Sequence, residues 1–174
     1  MGIRKLSAGL VAMAMGAGGA AAGAWAQPLV VEHQIPIAVA LEGAQAAIAS
    51  CLAGGYRIAV TIADRGGNVR VTLRADGANP HLLEGALRKA YTAAMLRIPT
   101  TQMSEVIQRS PGANALMAFD RMTSLGGGLP IKVGEEVVGG IGVAGVPVGG
   151  AGGAGDEGCA RAGLEKITAR LAAP

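Results

Sequence analysis

The sequence predicts an α/β protein of the α+β kind: one domain with a mostly antiparallel, five-stranded sheet flanked by helices. Three observations predict it. Apolar residues recur at spacings of three and four in segments beginning near residues 36, 80 and 156. Two alternating runs, Tyr56–Asp64 and Val69–Arg74, flank the turn Arg65-Gly66-Gly67-Asn68 and read as a hairpin. A glycine-rich region, 122–145, then reads as three further short strands. Tight turns favour antiparallel pairing, and the helices must cover the faces of the sheet.

The chain begins with Arg4 and Lys5, then Leu6, Leu10, Val11, Met13 and Met15, and reaches Ala24-Trp25-Ala26. A cationic start, an apolar middle and a small-x-small end predict a secretory signal cleaved after Ala26. An uncleaved anchor is the alternative; glycines dilute the segment, and Gln27-Pro28 would break an anchor helix. The expected location is periplasmic or secreted, with no membrane span after cleavage. Removing 26 of 174 residues leaves 148, and removing two cationic groups lowers the net charge from +3 to +1. That balance gives no reason to expect nucleic acid. Tyr56, Tyr91 and Phe119 are then the only aromatics, too few for base stacking. A chain of 148 residues fits one domain with an aliphatic core.

Residues 27–35 read as an extended lead-in. The first helix runs from Pro36 to Leu52, with Ile37, Leu41, Ala44, Ile48 and Leu52 as its apolar stripe and Gly54-Gly55 as its stop. Cys51 falls inside that stripe. In the hairpin, Ile58, Val60 and Ile62 share one face, as do Val69, Val71 and Leu73. Asn79 and Pro80 start a second helix that reaches about Arg97, with Leu83, Leu87, Ala90 and Ala94 inward. Pro99-Thr100 opens a short third helix to about Gln108, and one more helical turn leads to Phe119. Strands are expected at Met122–Leu125, Gly128–Val133 and Val137–Gly145. A last helix, Asp156–Leu171, carries Ala160, Leu164, Ile167 and Leu171, with Asp156 as cap and Cys159 off the edge of the stripe. An oxidising compartment allows Cys51 and Cys159 to bond, but their positions favour two separate small core residues.

Four features bear on chemistry. Gly150-Ala151-Gly152-Gly153-Ala154-Gly155 matches dinucleotide-binding spacing, but the chain ends before a second parallel strand and ribose-binding acid, and Asp156 would repel phosphate. A surface loop is the better reading. His33 and His81 are the only histidines and there is no cysteine pair at ligand spacing, which excludes a closed structural zinc site. On the outer face of the second helix lie His81, Glu84, Arg88, Tyr91, Thr92 and Met95. His, Tyr and Met side chains ligate haem iron and Arg88 suits a propionate; a solvated face with a Glu84–Arg88 ion pair is the plainer alternative. Gly126–Gly128 and Gly139–Gly142 allow close backbone approach, either to a flat ligand or to a neighbouring element.

Six further pieces occur in a fixed order: Asp64 with Gly66-Gly67, Arg74 and Asp76, Lys89-Ala90-Tyr91-Thr92-Ala93 with Pro99-Thr100, Gly127-Gly128-Leu129-Pro130, the run Val137–Gly145 and the segment Asp156–Leu164. On these residues the chain resembles the GlcG/HbpS family, the haem-degrading or HbpS-like proteins related to the C-terminal domain of PduO. The resemblance is carried by the six together. It covers about residues 36–172. It implies a profilin-like sandwich, usually oligomeric, and binding of haem or a related tetrapyrrole in some members. Ala144 stands where the family usually has serine. A binding role is implied more than a catalytic one, and no catalytic residue is assigned.

The expected function is therefore an exported haem- or tetrapyrrole-binding protein, in haem or redox handling, assembled as a homo-oligomer. Its expected ligand residues are Arg74, His81, Arg88, Lys89, Thr92, Gly127, Gly128 and Gly140, with His81 on the iron. The alternatives are an enzyme or sensor for a small carboxylic acid, and a non-catalytic oligomeric interaction module.

Overall fold

The structure is a computed structural model that describes residues 27–147 and 153–171. The predicted signal segment and half of the Gly150–Gly155 pattern lie outside the described residues. Residues 27–31 hold no helix or strand. The folded domain is the unit that begins at Glu32.

Helix α1 (Ile37–Ala53) leads into strands β1 (Ala59–Asp64) and β2 (Val69–Arg74), helices α2 (Leu82–Leu96) and α3 (Thr100–Arg109), and a 3₁₀ helix, Pro111–Ala118. Strands β3 (Gly128–Val133) and β4 (Glu136–Ala144) and helix α4 (Ala154–Thr168) complete the order. The hairpin turn forms because the Asp64 carboxylate accepts the Gly66 and Asn68 amides, each at 2.9 Å. All strand pairs are antiparallel, in the order β2-β1-β4-β3. The two central strands are buried along almost their whole length, whereas β2 is largely exposed.

The sheet has four strands, not the five expected. Residues 122–125 are not in the ladder because their polar groups are bonded to helix side chains instead. The Thr123 amide donates to Thr92 Oγ1 at 2.9 Å, and the Ser124 carbonyl accepts the Ser104 hydroxyl. No strand partner remains for them among the described residues.

The two faces of the sheet are built differently. Val60, Ile62, Leu129, Ile131, Ile141 and Val143 form the aliphatic core with α1 and α4. On the other face Ala59, Thr61, Ala63, Gly128, Gly140, Gly142 and Ala144 lie under α2. A Cβ on Gly128, Gly140 or Gly142 would stand 2.4, 2.3 or 2.2 Å from the carbonyl oxygens of Lys89, Ala90 and Ala86. The bare strands are thus filled by a helix backbone at close range, the packing alternative left open by the sequence.

That close packing also rotates the helices away from the expected faces. In α1 the buried residues are Val39, Ala40, Gly43, Ala44, Ala47 and Cys51, while Ile37, Leu41 and Leu52 are exposed. Gly43 and Gly163 let α1 cross α4 closely, so the small residues face inward. In α2 the buried set is Ala86, Lys89, Ala90, Thr92, Ala93 and Ala94. Thr92 is fully buried rather than on an outer face, and Leu83 and Leu87 are half-buried. Asn79 and Pro80 precede α2 without capping it through a side chain, and Asp156 lies inside α4 rather than at its cap.

Cys51 and Cys159 are joined by a disulfide, with Cα atoms 5.6 Å apart. This corrects the expectation of two separate cysteines: Cys51 and Cys159 both lie on the buried faces of α1 and α4, which pack against each other. The bond spans 108 residues, and in the chain-entropy description a loop of that size adds about 4–5 kcal/mol by restricting the unfolded chain. Two exposed ion pairs tie remote segments. Arg170 donates to Glu42 and holds its carboxyl below the ordinary value. His33 does the same to Glu136, with Arg65 adding to it.

Candidate functional site

Three chain reversals meet at one end of the sheet and leave a cleft of about 550 Å³. The turn after α1 supplies Tyr56 and Arg57. The loop between β2 and α2 supplies Gly77, Ala78 and Asn79, and the start of α2 supplies His81, Leu82 and Gly85. Ala144 to Pro147 at the end of β4, Leu125, Lys89 and Asp156 complete the lining.

The deepest polar group is an ion pair. Lys89 Nζ donates to Asp156 Oδ2 at 2.7 Å and to the Val143 carbonyl at 2.9 Å, and the two residues are 5% and 3% exposed. The Val146 amide donates to Asp156 Oδ1 at 2.9 Å. A buried pair of this kind survives only when its remaining bonds are also made. Asp156 sits in the first turn of α4, where the helix dipole favours a carboxylate. Gly127 makes room for the pair. Its φ is +115°, and a Cβ there would meet Asp156 Cβ at 2.6 Å and Lys89 Nζ at 3.1 Å.

The mouth of the cleft is different. His81 is exposed, and its imidazole makes no hydrogen bond among the described residues. Arg57 lies across Gly77, where a Cβ would come within 3.0 Å of Arg57 Cδ. Among the described residues its guanidinium has no acidic partner. Leu82, Leu125, Val146 and Pro147 contribute apolar surface to the lining. Among the described residues the arrangement therefore offers a neutralised base, apolar lining, one imidazole and one guanidinium without side-chain partners.

Of the residues expected to bind ligand, His81 and Lys89 line this cleft. Lys89 does so with its charge already matched by Asp156. Arg74 Nη1 donates to the Ala78 carbonyl at 2.7 Å and braces the loop that forms one wall. Arg88 pairs with Glu84 at 2.7 Å on the exposed side of α2, outside the cleft lining. Thr92 Oγ1 accepts the Thr123 amide, and Gly127, Gly128 and Gly140 are covered by α2 or by Asp156. No group of three or more His, Cys, Asp or Glu side chains at metal-binding range occurs among the described residues.

Tyr56, Arg57, Asn79 and Asp156 belong to the cleft, although the sequence does not mark them as ligand residues. Arg57 reads in sequence as the outward residue at the start of a strand. Its place in the same cleft as His81 arises from the topology, which no local spacing encodes. Asp156 is visible in sequence only as a helix-capping acid, because its partner lies 67 residues away.

Comparison with known proteins places this geometry in context. Residues 35–165 match the family model described as haem-degrading protein HbpS-like. A double mutant of HbpS from Streptomyces reticuli is 35% identical, with a TM-score of 0.73 over 88% of this chain and 99% of that one. An uncharacterized 15.0 kDa protein of the dhaT-dhaS intergenic region of Citrobacter freundii is 35% identical over 115 residues, 64% of this chain and 80% of that protein. A haem complex of PduOC shares the fold, with a TM-score of 0.67 and 24% identity over 78% of this chain and 96% of that one. With the family model spanning α1 to α4 and the sheet superposing on HbpS, the chain belongs to the HbpS-like family.

Proposed function

We propose that this protein binds haem or a related tetrapyrrole in the cleft at the start of α2. One observation carries the reading: an imidazole and a guanidinium that have no side-chain partner among the described residues line the same cleft of about 550 Å³ in an HbpS-like chain. Haem needs three things together: an axial base, a cation for a propionate, and apolar surface for the ring. His81 would hold the iron and Arg57 would take a propionate that the sequence assigned to Arg74 or Arg88. Leu82, Leu125, Val146 and Pro147 would offer apolar surface to the ring. The Lys89–Asp156 pair neutralises Lys89, so Arg57 would be the cation for the acidic edge of the ligand. The bound group supplies the redox and ligand-exchange chemistry of its iron.

The same reading has the chain exported, with cleavage after Ala26, to the periplasm or beyond, and assembled as a homo-oligomer in haem or redox handling. The three-part N-terminus supports export. A second reading, a small carboxylic acid as the ligand, is favoured by the guanidinium of Arg57 in the lining and by Tyr56 being the sole aromatic there.

Haem titrated into the purified protein and followed at the Soret band tests the proposal. The expected result is a shifted band at micromolar haem that changes position in His81→Ala, and affinity about tenfold weaker in Arg57→Ala, which is about 1.4 kcal/mol. An unshifted band removes the haem reading. A rise in melting temperature with small carboxylates and not with haem would replace it with the second.

A further inference from the structure

We infer that the Cys51–Cys159 disulfide is a redox-sensitive brace on the cleft, positioning two of its walls. The affinity half of this inference rests on the cleft being the ligand site; the structural half stands apart from it.

The bond lies between the two walls. The Cys51 carbonyl accepts the amides of Gly54 and Tyr56, both at 3.0 Å. It thereby shapes the turn that presents Tyr56 and Arg57 to the cleft. Cys159 comes three residues after Asp156 on α4, so the two side chains share one helix face. Asp156 in turn gathers Lys89 from α2 and Val146 from the end of β4. A covalent link from Cys51 to Cys159 therefore fixes the Tyr56–Arg57 wall relative to the Asp156–Val146 wall.

Without that link the chain loses global stability, but the other contacts of the fold do not run through it. The strand ladders and the glycine-filled contact with α2 involve neither cysteine. The α1–α4 crossing keeps its Gly43, Gly163 and Ile167 contacts. Loss of the bond is thus felt first where it is the connection between segments, at the cleft.

The chemistry is thiol–disulfide exchange with a dithiol reductant. A thiolate of the dithiol attacks the sulfur of Cys159, the less buried of the two at 7% exposure against 1%, and Cys51 leaves as thiolate. The second thiol of the reductant then displaces Cys159. Two electrons and two protons pass to Cys51 and Cys159, and the reductant departs as a disulfide.

Amide hydrogen exchange on the purified protein, oxidised, reduced with dithiothreitol, and as Cys51→Ser/Cys159→Ser, tests this. Val60, Ile62 and Ile141 report the global loss of stability; beyond that change, the Tyr56 and Val146 amides should exchange about tenfold faster without the bond, the mark of local opening. Haem affinity should fall about tenfold in parallel. Unchanged Tyr56 and Val146, unchanged affinity for haem that does bind, sheet amides that open to the same extent, or a double variant that fails to fold each overturn the brace. Haem that binds neither form, with Tyr56 and Val146 still responding, removes the haem reading and leaves the structural half of the brace supported.

Discussion

Lys89 shows how one residue changes meaning when the chain folds. In sequence it sits beside Arg88 as one more cation for an acidic ligand. In the structure its ammonium is buried and shared between Asp156 and the Val143 carbonyl, so α2, α4 and the end of β4 meet at one atom. Removing one partner of a buried pair leaves the other desolvated and uncompensated, at a cost of about 3–5 kcal/mol. Lys89→Met should lose that much in urea unfolding, and adding Asp156→Leu should return most of it. A loss below about 1 kcal/mol, the range of a solvated surface pair, would contradict the placement. His81 stands out in the sequence as the sole histidine beyond the lead-in. Arg57 does not, since its place in the cleft depends on which loops the topology gathers.

At the level of elements, the strands and helices were legible from period two and from spacings of three and four, but the helix faces were not. Ranking side chains by size turns Ile37, Leu41 and Leu52 inward. The protein instead buries alanine and glycine, because helices this close to glycine strands, or to each other, have no room for larger groups. Gly142 is the sharpest case. A Cβ there would lie 2.2 Å from the Ala86 carbonyl and 2.3 Å from the Ala90 amide nitrogen. Gly142→Ala should therefore push α2 off the sheet and cost about 3 kcal/mol, the upper range for overpacking. Gly158→Ala, on the exposed side of α4 with nothing within 4 Å, should be neutral or stabilise by up to about 1 kcal/mol. Equal urea midpoints for the two variants would show that α2 does not press on β4.

For the whole molecule, the antiparallel sheet between helices and the family were both readable from the sequence. The strand count failed at residues 122–125, whose bonds go to Thr92 and Ser104 over distances that patterning does not report. The cleft lies apart from the bare strands for a related reason. Glycines that looked free to receive a flat ligand are occupied by α2, and the open volume lies where the turns after α1, β2 and β4 converge. Amide chemical-shift mapping with zinc protoporphyrin, a diamagnetic substitute for haem, locates the ligand directly. Binding in the cleft should move the resonances of Arg57, Ala78, His81 and Val146 and leave Glu84, Arg88 and Gly140 in place. Shifts centred on Glu84 and Arg88, with the cleft residues unmoved, would contradict the assignment of this cleft as the binding site.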